Sequence, residues 1–231
     1  MIYLLFDASA VVPFYSPKSE NQTKAIAYLM ARKANNEAFF YIPSFCIAEV
    51  HNTLAKNHYR LGLSSKPEFA DQKTKFVDHI KNGKLFYCYY MNRYHNIISE
   101  EIASVEHQNH TEYLLTGIKP NPNLQISDIE AALGKAGYDS KIGKYYLSGL
   151  DILIIAMAME LKKLHGKHKV AIVSRDHRLI RITDTIKDSG INALNLDDGN
   201  KVFEKYFDIR LRKGVYKDLC IKCEKETAEK N

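Results

Sequence analysis

The segment IYLLFDASAVV, residues 2–12, decides the fold. Residues 2–6 form a short and fully apolar run, and this run ends at the charge of Asp7. Fully apolar runs of this length are typical of strands that are buried on both faces of a parallel sheet. A carboxylate directly after such a strand is costly to bury unless it is paired or bound to a cation. Residues 2–6 therefore predict a central strand, and Asp7 is the first candidate functional residue.

After this strand, apolar periodicity and turn residues predict alternating helices and strands. The predicted helices cover residues 19–34, 44–60 with Ser44 as the cap, 68–81, 94–105, 148–164 and 176–187, and the further strands cover residues 38–42, 85–91, 170–173 and 191–196. Strands that alternate with helices are joined by right-handed crossovers into a parallel sheet. We therefore expect an α/β fold, a three-layer sandwich in which helices flank a central parallel sheet.

The domain organisation follows from length and composition. A chain of 231 residues, 45% of them hydrophobic, is long enough for one substantial core, so one main domain is expected over residues 1–210. Residues 107–147 contain Pro120, Pro122 and several glycines, which predicts a partly irregular insertion. Residues 211–231 are predicted to form a charged C-terminal tail.

The composition also limits where the protein is expected to work. The N-terminal residues lack the basic region of a secretory signal, and no apolar run is long enough to span a bilayer, so a cytoplasmic protein without a membrane partner is expected. Four cysteines are too few for a disulfide framework in a chain of this size. Cys220 and Cys223 form a single Cys-x-x-Cys without the two further ligands of a structural zinc site. The net charge of +6 mildly favours a polyanionic partner.

Four acidic residues are predicted to meet at one edge of the sheet, where the carboxyl ends of parallel strands gather functional groups. They are Asp7 after the first strand, Glu49 in the helix after the second, Asp151 at the start of helix 148–164, and Asp176 after strand 170–173. Carboxylates that lie together raise each other's pKa values unless a cation neutralises them. An oxygen-rich site without His or Cys selects Mg²⁺ or Mn²⁺, which serve phosphodiester hydrolysis.

Each acid also has a structural explanation. Asp176 is placed to cap its helix, and Asp151 lies three residues after Ser148, close to the spacing of a capping box. Glu49 is compatible with a solvated charge on a helix surface. A shared metal site explains all four acids by one cause, and this favours the metal interpretation.

Four segments resemble the motifs of PIN-domain nucleases, a fold of many toxins in toxin-antitoxin pairs. The segments are LLFDASAVV with Asp7 and Ser9, IPSFCIAEV with Glu49, LSGLDILIIAMAME with Asp151, and VAIVSRDHRL with Ser174 and Asp176. The resemblance implies that the four acids bind Mg²⁺ or Mn²⁺ and carry out catalysis, and that the two serines support the site. It also implies an endoribonuclease that hydrolyses single-stranded RNA, with a cognate antitoxin protein or a second copy of the chain as further partners. Residues 107–144 and 211–231 depart from the compact toxin members of the family.

Contacts to RNA are predicted at Arg175, Arg178 and Lys56. The two arginines flank Asp176, and cations near a helix N-terminus oppose the helix dipole, so a phosphate backbone is one explanation for them. Lys56 and Arg60 extend along the helix of Glu49. A solvated helix face is the alternative for all of these cations.

Two other functions remain open at this point. A catalytically silent PIN-like protein would bind RNA or a protein partner with the same fold. Phosphoryl transfer through an aspartyl-phosphate at Asp7 is the other, but haloacid dehalogenase-like enzymes have a second Asp two residues later, where this chain has Ser9.

Overall fold

The computed structural model of the chain describes residues 1–93, 148–185 and 190–207, together with His95, Ser99 and Ile102. The strands of this part are β1 (Ile2–Phe6), β2 (Ala38–Pro43), β3 (Tyr87–Tyr89), β4 (Lys169–Ser174) and β5 (Ile191–Asn195). The helices are α1 (Ala8–Val11), α2 (Glu20–Ala34), α3 (Ser44–Tyr59), α4 (Lys66–Ile80), α5 (Gly149–His165), α6 (His177–Thr185) and α7 (Asn200–Phe207). Short 3-10 turns occupy Val12–Phe14, Lys81–Gly83 and Leu196–Asp198.

The five strands form one parallel sheet in the order β3-β2-β1-β4-β5. In the register of this sheet, Leu4 of β1 lies beside Phe40 of β2 on one side and Ala171 of β4 on the other. The chain moves outward from β1 in one direction through β2 and β3, and in the other direction through β4 and β5. The carboxyl end of β1 therefore opens at the point where the strand order reverses, which is where ligands bind in open α/β sheets.

The two faces of the sheet are both covered at its centre. Successive residues of a strand point to opposite faces, and both Leu5 and Phe6 are fully buried. The same holds for consecutive residues of β4 from Val170 to Val173. The predicted α/β class is thus confirmed, with a five-stranded parallel sheet flanked by helices as in a three-layer sandwich.

Two local predictions differ from the structure, and two short helices were not predicted. Helix α3 begins at Ser44 itself, after Pro43, and no side chain caps it, so the prediction that Ser44 is the cap is wrong. Strand 85–91 shortens to Tyr87–Tyr89, and α1 and α7 were not predicted. A helix of four residues is too short to show a periodicity, which is why α1 escaped the sequence pattern.

Some predicted segments lie outside the described residues. They are most of the predicted helix 94–105, the insertion 107–147 and the tail 211–231. Among the helices that are described, none has the length and apolar character needed to cross a membrane.

Candidate metal centre

Asp7 lies at the carboxyl end of β1 and caps the short helix α1. Only 7% of the residue is exposed. Its Oδ2 accepts hydrogen bonds from the Ser9 hydroxyl at 2.5 Å, from the Ser9 backbone N–H at 3.3 Å and from the Ser174 hydroxyl at 2.9 Å. Its Oδ1 accepts no hydrogen bond from the described part of the chain. The carboxylate is therefore held rigidly by one oxygen, while the other is left for a further ligand.

Burial raises the pKa of Asp7 above its usual range, because a charged carboxylate loses its hydration there. The hydrogen bonds from Ser9 and Ser174 act in the opposite direction, and the negative charge of Asp151 raises the pKa further. A nearby cation would reverse this penalty, since it favours the ionised form.

Glu49 and Cys46 approach Asp7 from α3. The Cys46 sulfur and one carboxylate oxygen from each of Asp7 and Glu49 all lie within 4.8 Å of one another. Strand β2 lies beside β1, so the helix that follows it starts close to Asp7. Residues three apart on a helix lie on the same face, which directs both Cys46 and Glu49 towards Asp7. We call these three residues the donor group.

The electrostatics of Glu49 follow from this position. Partial burial raises the pKa of Glu49, and the negative charges of Asp7 and Asp151 raise it further. Glu49 is nevertheless an exposed residue, and its side chain makes no hydrogen bond or ion pair with the other described residues. Its carboxylate is thus available to a ligand from solvent.

Cys46 was missed in the prediction of an all-oxygen site. It is fully buried, and burial raises the pKa of its thiol, as do the negative charges of Asp7 and Glu49. The nearby backbone of Ala8 lowers the pKa of this thiol and so opposes part of the shift. The spacing of three residues from Glu49 was the available signal, but a cysteine among apolar neighbours is equally typical of a core position.

Asp151 serves first as a helix cap. Its Oδ2 accepts hydrogen bonds from the Ser148 backbone N–H at 3.0 Å and hydroxyl at 2.8 Å, and its own N–H donates to the Ser148 hydroxyl at 3.2 Å. The capping box considered from the sequence is therefore present. Its charge nevertheless raises the pKa values of Asp7 and Glu49, so Asp151 faces the donor group without belonging to it.

The negative charge of Asp176 is balanced by Arg178, two residues later in the chain. Its Oδ1 accepts from the Arg178 backbone N–H at 2.8 Å, and its Oδ2 accepts from the Arg178 guanidinium at 2.8 Å. Burial alone would raise the pKa of Asp176, but the hydrogen bonds and charge of Arg178 outweigh it and lower the pKa below its usual value. The structure thus brings Asp7 and Glu49 together with Asp151 nearby, while Asp176 is paired with Arg178.

Two hydroxyl groups connect Asp7 to the turn of Asp176. The Ser9 and Ser174 hydroxyl oxygens are 3.3 Å apart. Ser9 Oγ accepts from the Arg175 backbone N–H at 2.9 Å, and Ser174 Oγ accepts from the Asp176 backbone N–H at 3.0 Å. Because each hydroxyl accepts from a backbone N–H and donates to Asp7, both hydroxyl protons are directed at the carboxylate.

The three cations predicted to contact RNA differ in their surroundings. Arg175 donates from Nε to both carboxylate oxygens of Asp197, at 2.9 Å and 3.1 Å, and Arg178 pairs with Asp176. Lys56 is exposed on α3 and has no acidic partner within 4.0 Å in the described part of the chain. The positive charge of Lys56 is therefore available to a ligand, whereas that of each arginine is already balanced.

Comparisons with known proteins give no family. No protein-family model matches the chain, and a search of curated proteins finds no match. A function must therefore be inferred from the chemistry of the donor group and its surroundings.

Proposed function

We propose that this protein is a Mg²⁺- or Mn²⁺-dependent endoribonuclease of PIN-like type that hydrolyses single-stranded RNA. The observation that carries the proposal is the buried carboxylate of Asp7 at the switch point of the sheet. It has one free oxygen and lies within 4.8 Å of a Glu49 oxygen. Neither side chain has a cationic partner within 4.0 Å in the part of the chain that the structure describes.

The carboxylates of this site suit a hard divalent cation. Such ions prefer carboxylate oxygens and keep part of their coordination shell for water and substrate phosphate. Asp7 and Glu49 would hold the ion, and Asp151 would add a third negative charge beside it. Bound there, the ion would polarise a phosphoryl oxygen and make water a better nucleophile.

The protein's own groups have separate tasks in this proposal. Ser9 and Ser174 hold Asp7 Oδ2, so Oδ1 keeps one orientation with little cost in side-chain entropy. Glu49 presents its carboxylate from the exposed side of the site. The excess negative charge leaves the site unsuited to a phosphate group until a cation is bound.

One observation favours the catalytically silent alternative as a second candidate. Asp176, which the PIN-like assignment makes a metal ligand, has both carboxylate oxygens bonded to Arg178. A protein with an incomplete set of acids would bind RNA without cleaving it.

Incubation of the purified chain with end-labelled single-stranded RNA separates these candidates. We expect cleavage in Mn²⁺ or Mg²⁺ and none when a chelator is present. RNA binding without cleavage in either ion would instead support the silent alternative.

Two exposed cations, Lys56 on α3 and Arg60 at the C-cap of α3, predict the path of the RNA. Lys56 and Arg60 lie seven and eleven residues after Glu49, which places both within about 20° of it around the helix axis. At about 1.5 Å per residue they lie roughly 10 Å and 17 Å from it along the axis. We expect Lys56→Ala and Arg60→Ala each to weaken RNA binding about uniformly across sequences and to lower the salt slope of log K by about 0.7.

Fluorescence anisotropy with labelled RNA in chelator measures this binding without cleavage. Lys75→Ala is the matched control, because Lys75 lies on α4 and already pairs with Asp71 at 2.7 Å. If Lys56→Ala and Arg60→Ala bind RNA with the affinity and salt slope of the control, the RNA does not follow α3.

A further inference from the structure

The sulfur in the donor group changes which cations the site is able to hold. Cys46 is fully buried, and its Sγ lies within 4.8 Å of carboxylate oxygens from both Asp7 and Glu49. Magnesium rarely takes a sulfur ligand, whereas thiolate selects thiophilic ions such as Zn²⁺ and Cd²⁺. A mixed set of one thiolate and two carboxylates therefore has a chemistry different from that of an all-acid site.

One small cation is able to join the three ligand atoms if Glu49 moves towards the other two residues. Zinc lies about 2.3 Å from sulfur and about 2.0–2.2 Å from carboxylate oxygen, so its ligand atoms lie about 3.4–3.6 Å apart in a tetrahedral site. The ligand atoms of the donor group lie within 4.8 Å of one another, and the exposed Glu49 side chain is free to move closer.

One further feature favours cation binding by the donor group. Asp7 is nine-tenths buried, and its Oδ1 has no hydrogen-bond donor within the described part of the chain. The same oxygen would serve the hard cation of the proposed function, so the two kinds of ion would compete for it.

We propose that Asp7, Cys46 and Glu49 bind a thiophilic divalent cation, of the class of Zn²⁺ and Cd²⁺, in the place that the catalytic ion would occupy. The thiol proton is released to solvent when the ion binds. Such an ion would compete with Mg²⁺ or Mn²⁺ for Asp7 and Glu49 and so inhibit the enzyme. The inhibition rests on the proposed nuclease function, whereas the binding of the thiophilic ion does not.

Cadmium titration tests the binding directly, through the ultraviolet charge-transfer absorption of a cadmium thiolate. Cys88, Cys220 and Cys223 are first replaced by Ser, so that Cys46 is the remaining thiol. We expect this protein to bind about one equivalent of Cd²⁺.

Cys46→Ser and Cys46→Ala should each abolish the absorption band, and Glu49→Gln and Asp7→Asn should each weaken binding about 10-fold or more. Excess Mn²⁺ should shift the cadmium titration to higher concentration. Circular dichroism establishes that each variant is folded.

Three results would overturn the proposal. The first is an absorption band that survives the loss of Cys46. The second is a band that depends on Cys46 but is unchanged by Glu49→Gln and Asp7→Asn, because the thiol would then bind alone. The third is cadmium binding that does not respond to Mn²⁺. None of these measurements uses RNA, so cadmium binding by a chain that fails to cleave RNA would count against the nuclease proposal alone.

Discussion

Replacement of Asp7 by Asn is expected to reduce metal-dependent RNA cleavage by at least about 100-fold. Loss of a group that merely supports a metal ligand already costs about 10–100-fold in affinity or activity, so the loss of a ligand should cost more. Asn keeps the oxygen that accepts from Ser9 and Ser174 but places an N–H₂ group where the free Oδ1 stood. An amide nitrogen in that place repels a cation.

The fold should survive this substitution. Asn is close to Asp in size, and it removes a buried carboxylate whose pKa is raised by burial and by Asp151. Asp71→Asn is the control, because it makes the same chemical change at an exposed position on α4. Cleavage rates within a few-fold of each other for Asp7→Asn and Asp71→Asn, measured with the same labelled RNA, would remove Asp7 from catalysis.

Replacement of Phe6 by Ala is expected to lower the free energy of unfolding by about 3–5 kcal/mol. The Phe6 side chain is fully buried, and its ring centroid lies 4.9 Å from that of Phe40, 5.3 Å from that of Phe86 and 5.6 Å from that of Phe14. These rings come from separate segments of the chain and cannot all move to fill the space that the substitution leaves. The cost therefore includes a cavity as well as lost burial.

Urea denaturation measures this loss, with Leu164→Ala as the control. Leu164 is 65% exposed on α5, so its replacement should change stability by no more than about 0.5 kcal/mol. A loss of less than about 1 kcal/mol for Phe6→Ala would show that the packing around the end of β1 is not as described.

The sequence predicts this fold well where burial is complete on both faces of a strand. Residues 2–6 and 170–173 are continuous apolar runs, and both are central strands of the sheet. The apolar pattern does not predict the order of the strands, because more than one strand with this pattern would fit beside β1. The four residues of α1 follow from the cap that Asp7 provides, which is a local contact rather than a periodicity.

In the candidate site, too, some residues are predictable from the sequence and others depend on tertiary contacts. Asp7 is recognisable from sequence because a carboxylate after a buried strand is costly. The pairing of Arg175 with Asp197 joins residues 22 positions apart and depends on how β4 and β5 lie side by side. The place of Cys46 depends on the angle at which α3 leaves the sheet. Contacts of this kind require the tertiary structure.

Binding of Mn²⁺ to the wild-type chain and to Asp7→Asn, measured side by side from the electron paramagnetic resonance signal of the free ion, tests the metal centre most directly. We expect the wild type and Asp71→Asn to bind Mn²⁺ saturably and to release it to excess Mg²⁺. Asp7→Asn should bind Mn²⁺ about 10-fold more weakly or worse. Equal affinity of the wild type and Asp7→Asn, or no saturable binding by either, would contradict a metal centre built on Asp7.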